Sequence, residues 1–273
     1  MEGRDRPYLV LFLLPSLVFF AAFFLLPIAR LVAVGASGPG GAAAYAAIIA
    51  TPRYFRSLVS TLVLSLLVTG ATLVIAGIAG VFLQRHRFPG RSLLVAMLTF
   101  PLAFPGVVVG FMVIMLAGRQ GIVGELSALA TGQKVVFAYS MAGLFVGYLY
   151  FSIPRVILTI MAAAEKLDAR LEEAARSLGA RPWQVVRDVL VPALRPAIFS
   201  SGAICFATSM GAFGTAFTLA TEIEVLPMTI YTEFTLRANI AVAAALSIVL
   251  GVITWTGLAL ARTAAGSTVA ASA

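Results

Sequence analysis

Residues 165–192, EKLDARLEEAARSLGARPWQVVRDVLVP, form the one long and densely charged stretch of an otherwise apolar sequence. Leucine and alanine recur in its first half at spacings of three and four residues, and charged residues fill the positions between them. That periodicity predicts an amphipathic helix. We therefore expect a surface element whose apolar face is available to a partner; the alternative is a solvated hairpin without one.

The second half of this stretch predicts a turn and another helix. Gly179 directly follows Leu178, the last apolar residue of the first period, where a left-handed glycine would end the helix. Pro182 suits the first turn of a following helix, because its missing N–H is one that a helix start leaves unpaired. Glu172 and Arg176 are one turn apart in the order that favours an ion pair. The prediction is a helix, a sharp turn and a short helix.

Composition indicates an integral membrane protein. Of the 273 residues, 61% are hydrophobic and 11% are charged, and the mean hydropathy is +1.03, which is unlike a soluble domain. A helix of about 20 apolar residues spans a bilayer. Seven charge-free windows are long enough, but the one at 31–52 contains a glycine-rich turn; the other six are residues 7–29, 57–84, 92–118, 135–154, 196–221 and 238–261. The predicted fold class is an all-α membrane protein with six transmembrane helices.

The basic residues predict the orientation of these helices. With a cytoplasmic N-terminus, twelve Lys and Arg fall in the inner segments and five in the outer ones, and such an excess marks the cytoplasmic side. Both termini and the charged stretch, which lies between the fourth and fifth helices, are therefore expected inside. Arg30 and Arg155 are assigned to helix ends, from which their side chains would reach water. Orientation thus explains the net charge of +8, and nucleic-acid binding is not expected.

Three regions are predicted along the chain. Residues 1–50 hold the first helix and an external loop, because GASGPGG at 35–41 would break any spanning helix. Residues 51–262 form the core, with the charged hairpin at about 162–192, and residues 263–273 form a loose tail. A further external loop after the fifth helix is expected to carry Glu222, Glu224 and Glu233.

The third and fifth spans carry residues that break helices or add polar groups. Pro101 and Pro105 each remove a backbone hydrogen bond, so the third span should be kinked or locally unwound near the middle of the membrane. The fifth span contains SMGAFGT at 209–215. Both patterns are typical of a translocation path and also of tight helix packing. The candidate path residues are Pro101, Pro105, Ser209, Gly211, Phe213 and Thr215.

The sequence holds no constellation for catalysis or cofactor binding. There is one histidine, no HExxH motif, no pair of carboxylates inside a span and no GxxxxGK[ST] phosphate loop. The spans also lack the ionisable residues that ion-coupled carriers usually place there. We therefore expect a protein that is not an enzyme, binds no cofactor or metal and depends on an energy source outside the chain. A membrane enzyme and a self-sufficient channel or carrier are the alternatives.

The charged stretch is similar to a known motif. Glu173, Ala174 and Ala175 are followed after three residues by Gly179 and after nine more by VLVP at 189–192. This spacing resembles the EAA loop, Glu-Ala-Ala-x3-Gly-x9-Ile-x-Leu-Pro, in the permease subunits of bacterial ABC importers that work with a solute-binding protein. Valines replace the isoleucine and the leucine. The resemblance to the type I permease fold of that family extends over about residues 51–262, with the loop between the fourth and fifth of six spans.

The resemblance implies a division of labour. In that family the hairpin is a coupling helix lodged in a groove of a separate ATPase, which uses ATP and Mg²⁺. The implied partners are an ATPase dimer, a second permease subunit (a sister chain or another copy) and a periplasmic or lipid-anchored binding protein, at the bacterial inner membrane. Glu173 would meet a basic or donor group of the ATPase, and Trp183 would support the turn. The implied coupling residues are Glu173, Ala174, Ala175, Gly179, Ala180 and Trp183.

Three further segments resemble the permeases for polyamines and those of the related ferric iron, phosphonate and sulfate or thiosulfate systems: FPLAFPGVVVG at 100–110, SMGAFGT at 209–215 and LPMTIYTEF at 226–234. A polyamine such as spermidine or putrescine is the first choice, and the other solutes are the alternatives. Many polyamine permeases carry an acidic residue just after the Ser-x-Gly of the fifth span, where this chain has Ala212 and Phe213. The missing carboxylate argues against a polycation, which would cross a low-dielectric path unpaired.

Overall fold

The computed structural model describes residues 6–37, 43–219 and 223–265, and within these ranges all regular secondary structure is helical. Six helical segments there are long and apolar enough to cross a membrane, which confirms the predicted fold class. The α-helices are α1 Arg6–Phe20, α2 Leu26–Ala36, α3 Ala43–Ala50, α4 Pro52–Arg85, α5 Arg91–Thr99, α6 Gly106–Ala117, α7 Ile122–Thr131, α8 Met141–Glu165, α9 Arg170–Ser177, α10 Pro182–Val185, α11 Val191–Met210, α12 Gly214–Leu219, α13 Leu226–Tyr231 and α14 Ile240–Ala265.

The chain forms two units. The larger one comprises residues 58–228 and those from 253 onward. Its core includes α4 and α8, two long helices whose buried residues are mostly aliphatic or small. Val68 of α4 and Leu144, Tyr148 and Val156 of α8 are almost fully buried there. This unit contains both the charged hairpin and all the candidate path residues.

The smaller unit comprises the described residues up to 57 together with 229–252. It corrects the placement of Glu233 in an external loop, because α13 and a π turn at Thr232–Leu236 make this region helical and leave Glu233 only 1% exposed. Its carboxylate lies 3.1 Å from Arg237 and 3.6 Å from Arg53, and two such cations offset the cost of burying a negative charge. Glu224 is half-buried, and Glu222 lies outside the described residues.

The predicted third span is divided into two helices. α5 ends in a 3-10 turn at Phe100–Ala103, Phe104 and Pro105 are extended, and α6 begins at Gly106. Proline restricts the preceding residue to extended conformations, so Pro105 ends the helical path at Phe104. The predicted unwinding at the two prolines is thus confirmed, but the predicted bounds are wrong, because the segment long enough to span a membrane here is Gly106–Thr131 and not residues 92–118.

The fourth and fifth spans differ from their predicted bounds. α8 begins only at Met141, where the Ser140 hydroxyl accepts a hydrogen bond from the Ala142 amide at 3.2 Å. The short second helix of the hairpin is not separate, because α10 continues through a π turn at Val186–Leu190 directly into α11. The turn precedes Pro192, which has no N–H to donate, and a wider turn absorbs the missing bond. α11 then stops at Met210, and the helix resumes as α12.

Candidate functional site

The charged hairpin turns through a glycine cap that involves the EAA residues themselves. Gly179 has φ +87°, in the left-handed region, which confirms the predicted cap at the end of the first helix. Its amide donates to the Arg176 carbonyl at 2.9 Å, and the Ala180 amide donates to the Ala175 carbonyl at 3.1 Å. These two bonds define a Schellman motif, which satisfies carbonyls that the end of a helix leaves unpaired. Ala175 and Ala180 are therefore backbone partners across the turn.

The second arm of the hairpin is fixed at its start and along its inner side. Pro182 occupies the first helical turn, as predicted, and the Gln184 side chain accepts a hydrogen bond from the Arg181 amide at 2.7 Å. Val185 and Leu190 are buried. α10 runs on into α11 without a break, so the turn is joined directly to a helical segment, Pro182–Met210, that is long enough to span a membrane.

The outer side of the hairpin is an uncovered surface. Leu178 is 89% exposed and Trp183 is 69% exposed, so the tryptophan ring belongs to this surface and does not pack beneath the turn. Glu173 and Ala174 are exposed as well. Large apolar side chains uncovered beside an exposed carboxylate are typical of a protein interface. We call this surface, formed by Glu173, Ala174, Leu178, Gly179 and Trp183, the docking face.

The neighbouring glutamate, Glu172, is buried where Glu173 is exposed, and it anchors the hairpin. It is buried and pairs with Arg85, the last residue of α4, at 2.7 Å, which corrects the predicted pair with Arg176. Arg85 also donates to the Leu167 carbonyl at 3.3 Å. One guanidinium thus ties the end of α4 to both the entry and the body of the hairpin. The sequence did not reveal this ion pair, because Arg85 is one of several basic residues in the same loop.

A second candidate site is a cleft of about 280 Å³ where the two helix breaks meet. Irregular backbone within a membrane-spanning protein is tolerated where it is buried in protein or lines a cavity, and here both breaks line the same cleft. We call it the membrane cleft. Its lining residues are Pro101, Leu102, Phe104, Gly106, Phe151, Arg155, Thr208, Ala212, Gly214 and Thr215.

Hydrogen bonds between side chains and backbone hold the two breaks together. The Thr215 hydroxyl donates to the Gly106 carbonyl at 2.9 Å, and the Thr218 hydroxyl donates to the Val107 carbonyl at 3.2 Å. From α8, the Tyr148 hydroxyl donates to the Ala212 carbonyl at 2.6 Å. The two threonines thus tie α12 to the first turn of α6, and the carbonyl of Ala212, which lies in the break between α11 and α12, is satisfied inside the protein.

Some of the candidate path residues line this cleft and others do not. Pro101 and Thr215 line it. Gly211 and Phe213 flank the lining residue Ala212, and the Phe213 ring packs on Phe217 at 5.3 Å between centroids. Pro105 stands between the lining residues Phe104 and Gly106 without lining the cleft itself. Ser209 is 1% exposed and is not part of the lining.

The lining also contains a residue that the sequence analysis misplaced. Arg155 was assigned to a helix end, but it lies within α8, fourteen residues after Met141 and ten before Glu165, and it opens on the membrane cleft. The available signal was its position between two uncharged segments, 135–154 and 156–164. The charge count set Arg155 aside as a residue near a helix end.

Close helix packing beside the cleft leads to a stability prediction. A Cβ at Gly110 would lie 2.5 Å from the Thr218 Cβ, whereas one at Gly77 in α4 would meet nothing within 4 Å. We expect Gly110→Ala to lower the thermal unfolding midpoint in detergent, because overpacking costs about 1–3 kcal/mol. Gly77→Ala, the matched control, should leave it unchanged or slightly raised. Equal midpoints for the two variants would contradict the close approach of α6 and α12.

Comparison with known proteins identifies the class. The bacterial alginate ABC transporter, solved in complex with an alginate pentasaccharide-bound periplasmic protein, contains a chain that matches at a TM-score of 0.78 and 19% identity, over 94% of this chain and 93% of that one. The fold is therefore that of a type I ABC permease. A family model described as "Binding-protein-dependent transport system inner membrane component" matches residues 72–265.

Relatives at higher identity agree. The molybdenum transport system permease protein ModB of Escherichia coli K12 is 36% identical over 154 residues, 55% of this chain and 66% of ModB. The sulfate transport system permease protein CysT of the same strain is 33% identical over 220 residues, 81% of this chain and 78% of CysT. The putative 2-aminoethylphosphonate permease protein PhnU of Salmonella typhi is 28% identical over 247 residues, 88% of this chain and 86% of PhnU.

The chain belongs to the family of binding-protein-dependent transport system inner membrane components, the permease subunits of ABC importers. It is a multi-pass inner membrane protein. The aligned region spans slightly less than two thirds of ModB, at 66%, whereas it spans most of CysT and PhnU.

Proposed function

We propose that this chain is the membrane subunit of an ATP-driven importer for a small oxyanion of the molybdate, sulfate or phosphonate kind. The coupling role is supported by the docking face. Its exposed apolar and acidic residues lie at a turn that is closed by the Gly179 cap and held by the ion pair between Glu172 and Arg85. In this proposal an ATPase dimer binds that face and uses ATP and Mg²⁺. A second permease subunit completes the path, and an external binding protein delivers the solute.

The solute class is supported by two observations. The relatives described above are named for molybdenum, sulfate and 2-aminoethylphosphonate, and two of these solutes were among the alternatives from the sequence. The lining of the membrane cleft contains one arginine and no carboxylate. A polyamine, the first choice from the sequence, gains no support from these names, and such a polycation would find no counter-charge in the cleft.

Uptake by the reconstituted complex tests this proposal. The chain is purified from its native membrane with its bound partners, inserted into vesicles with the binding protein, and supplied with labelled molybdate, sulfate, 2-aminoethylphosphonate or spermidine. We expect uptake of one oxyanion only when ATP is present on the side of the ATPase. Uptake without ATP would overturn the importer, and ATP-dependent uptake of spermidine would overturn the solute class.

A further inference from the structure

Arg155 is an unneutralised charge in the membrane cleft. In the part of the chain that the structure describes, its guanidinium has no ion-pair or hydrogen-bond partner. The side chain is exposed, whereas Ser152, Pro154, Val156 and Ile157 around it are buried. Arg155 therefore projects out of the packed helix into the cleft.

The position of Arg155 along α8 makes the cleft the environment of its side chain. At the rise of an α-helix it lies about 21 Å from the start of α8 and about 15 Å from its end. Residues 156–164, which follow it, are uncharged, so the nearer end of the helix does not bring it directly to the membrane surface. An ionisable residue at such depth is costly, and it faces a cavity or a partner charge when it is retained.

The cleft has the size and polarity to receive a small anion. Its volume of about 280 Å³ exceeds the roughly 30 Å³ that one water occupies in the liquid several times over, so a tetrahedral anion fits with part of its hydration shell. The hydroxyls of Thr208 and Thr215 already donate to backbone carbonyls at 2.9 Å. Arg155 is thus the charged donor of the site, and its planar fork matches two oxygens of an oxyanion at once.

We propose that Arg155 is the anion-binding residue of the transport path and holds a tetrahedral oxyanion in the membrane cleft during its passage. This inference rests on the proposed function, because it assigns a residue to the solute class named there. A single arginine in a hydrated cleft binds weakly, as a transport site must, since the solute has to leave again. Selectivity for an anion follows from the charge, and a cation is repelled.

The test measures uptake by the assembled complex with Arg155→Gln and with Arg195→Gln as the matched control. Arg195 is also exposed, packs over the Phe199 ring at 5.6 Å and does not line the cleft. Using radiolabelled molybdate, sulfate and 2-aminoethylphosphonate, we expect Arg155→Gln to lose about tenfold or more in the uptake rate at low anion concentration, the effect of one charge-assisted hydrogen bond. Arg195→Gln should remain near the wild type.

A chemical restoration of the charge separates loss of function from loss of folding. Cys205, the one cysteine of this chain, is buried, so Arg155→Cys adds an accessible thiol that water-soluble reagents modify selectively. Aminoethyl methanethiosulfonate adds an ammonium group there and should recover several-fold of the lost uptake, whereas methyl methanethiosulfonate adds no charge and should recover none. The same reagents applied to the unsubstituted complex correct for thiols of the partner subunits.

The outcomes separate the two proposals. If the wild-type complex takes up an oxyanion but Arg155→Gln behaves like Arg195→Gln, the role of Arg155 is wrong and the proposed function stands. If the wild type takes up spermidine and none of the anions, the solute class fails first. Two further results would overturn the inference. If the Arg155→Gln complex loses the second permease subunit, Arg155 is an interface residue. If neither reagent modifies the thiol introduced by Arg155→Cys, the cleft is not hydrated.

Discussion

Gly179→Val is expected to reduce uptake by the assembled transporter about tenfold or more while the complex remains in the membrane. Gly179 has φ +87°, and no atom of this chain lies within 4 Å of its Cβ position, so the added Cβ meets no clash within the chain. The cost is conformational, at about 1–2 kcal/mol for a residue with a Cβ in the left-handed region and more for a β-branched one. Relaxation of that strain breaks the two bonds that close the hairpin turn.

The physical consequence is a displacement of the docking face. Gly179 and Ala180 donate to the carbonyls of Arg176 and Ala175, and without these bonds Leu178 and Trp183 lose their fixed relation to Glu173. A misplacement of about 1 Å is enough to impair a preorganised interface. We therefore expect ATP hydrolysis by the complex to lose its stimulation by the loaded binding protein.

Asparagine supplies the matched control at this position. It tolerates the left-handed conformation far better than valine, so Gly179→Asn should keep most of the coupled uptake although it is larger than glycine. The measurements are uptake and binding-protein-stimulated ATP hydrolysis, both normalised to the amount of complex in the membrane. Equal losses for valine and asparagine would show that size at the interface matters and that the backbone conformation does not.

Local features of this protein could be predicted from the sequence, and tertiary ones could not. The cap at Gly179, the helix start at Pro182 and the unwinding at Pro105 each depend on residues within one or two turns, so spacing alone reveals them. The membrane cleft depends on two breaks, more than a hundred residues apart in the chain, that meet only in the folded state. Arg155 was misread for the same reason, because its environment is made by other helices.

The paired glutamates show the limit most clearly. Glu172 and Glu173 are adjacent and chemically equivalent in the sequence, and the motif alone marks Glu173. Only the fold shows that Glu172 turns inward to Arg85, which ends α4, while Glu173 turns outward. Adjacent residues on a helix lie about 100° apart around its axis, so one carboxylate can anchor the hairpin and the other can serve a partner.

Glu172→Gln is expected to loosen the hairpin, and Glu173→Gln is not. Removing one partner of a largely buried ion pair costs about 3 kcal/mol or more, because the remaining charge stays unpaired. That cost corresponds to about a hundredfold faster amide hydrogen exchange in residues 170–180 if the hairpin opens locally. Exchange measured by mass spectrometry on the purified complex should show this for Glu172→Gln, while Glu173→Gln exchanges like the wild type.

The same two variants should separate in their effect on the ATPase. Glu173→Gln is expected to weaken ATPase binding with the hairpin intact, whereas Glu172→Gln reduces coupling through the loss of order.

An apolar replacement of the whole ion pair, Arg85→Met with Glu172→Leu, removes both charges. It should recover much of the protection from exchange that Glu172→Gln loses, since buried pairs are often replaceable by well-packed apolar residues. If the double variant exchanges as fast as Glu172→Gln, the buried charge is not the cause of the loosening. If Glu173→Gln alone accelerates exchange, the assignment of the two glutamates is reversed.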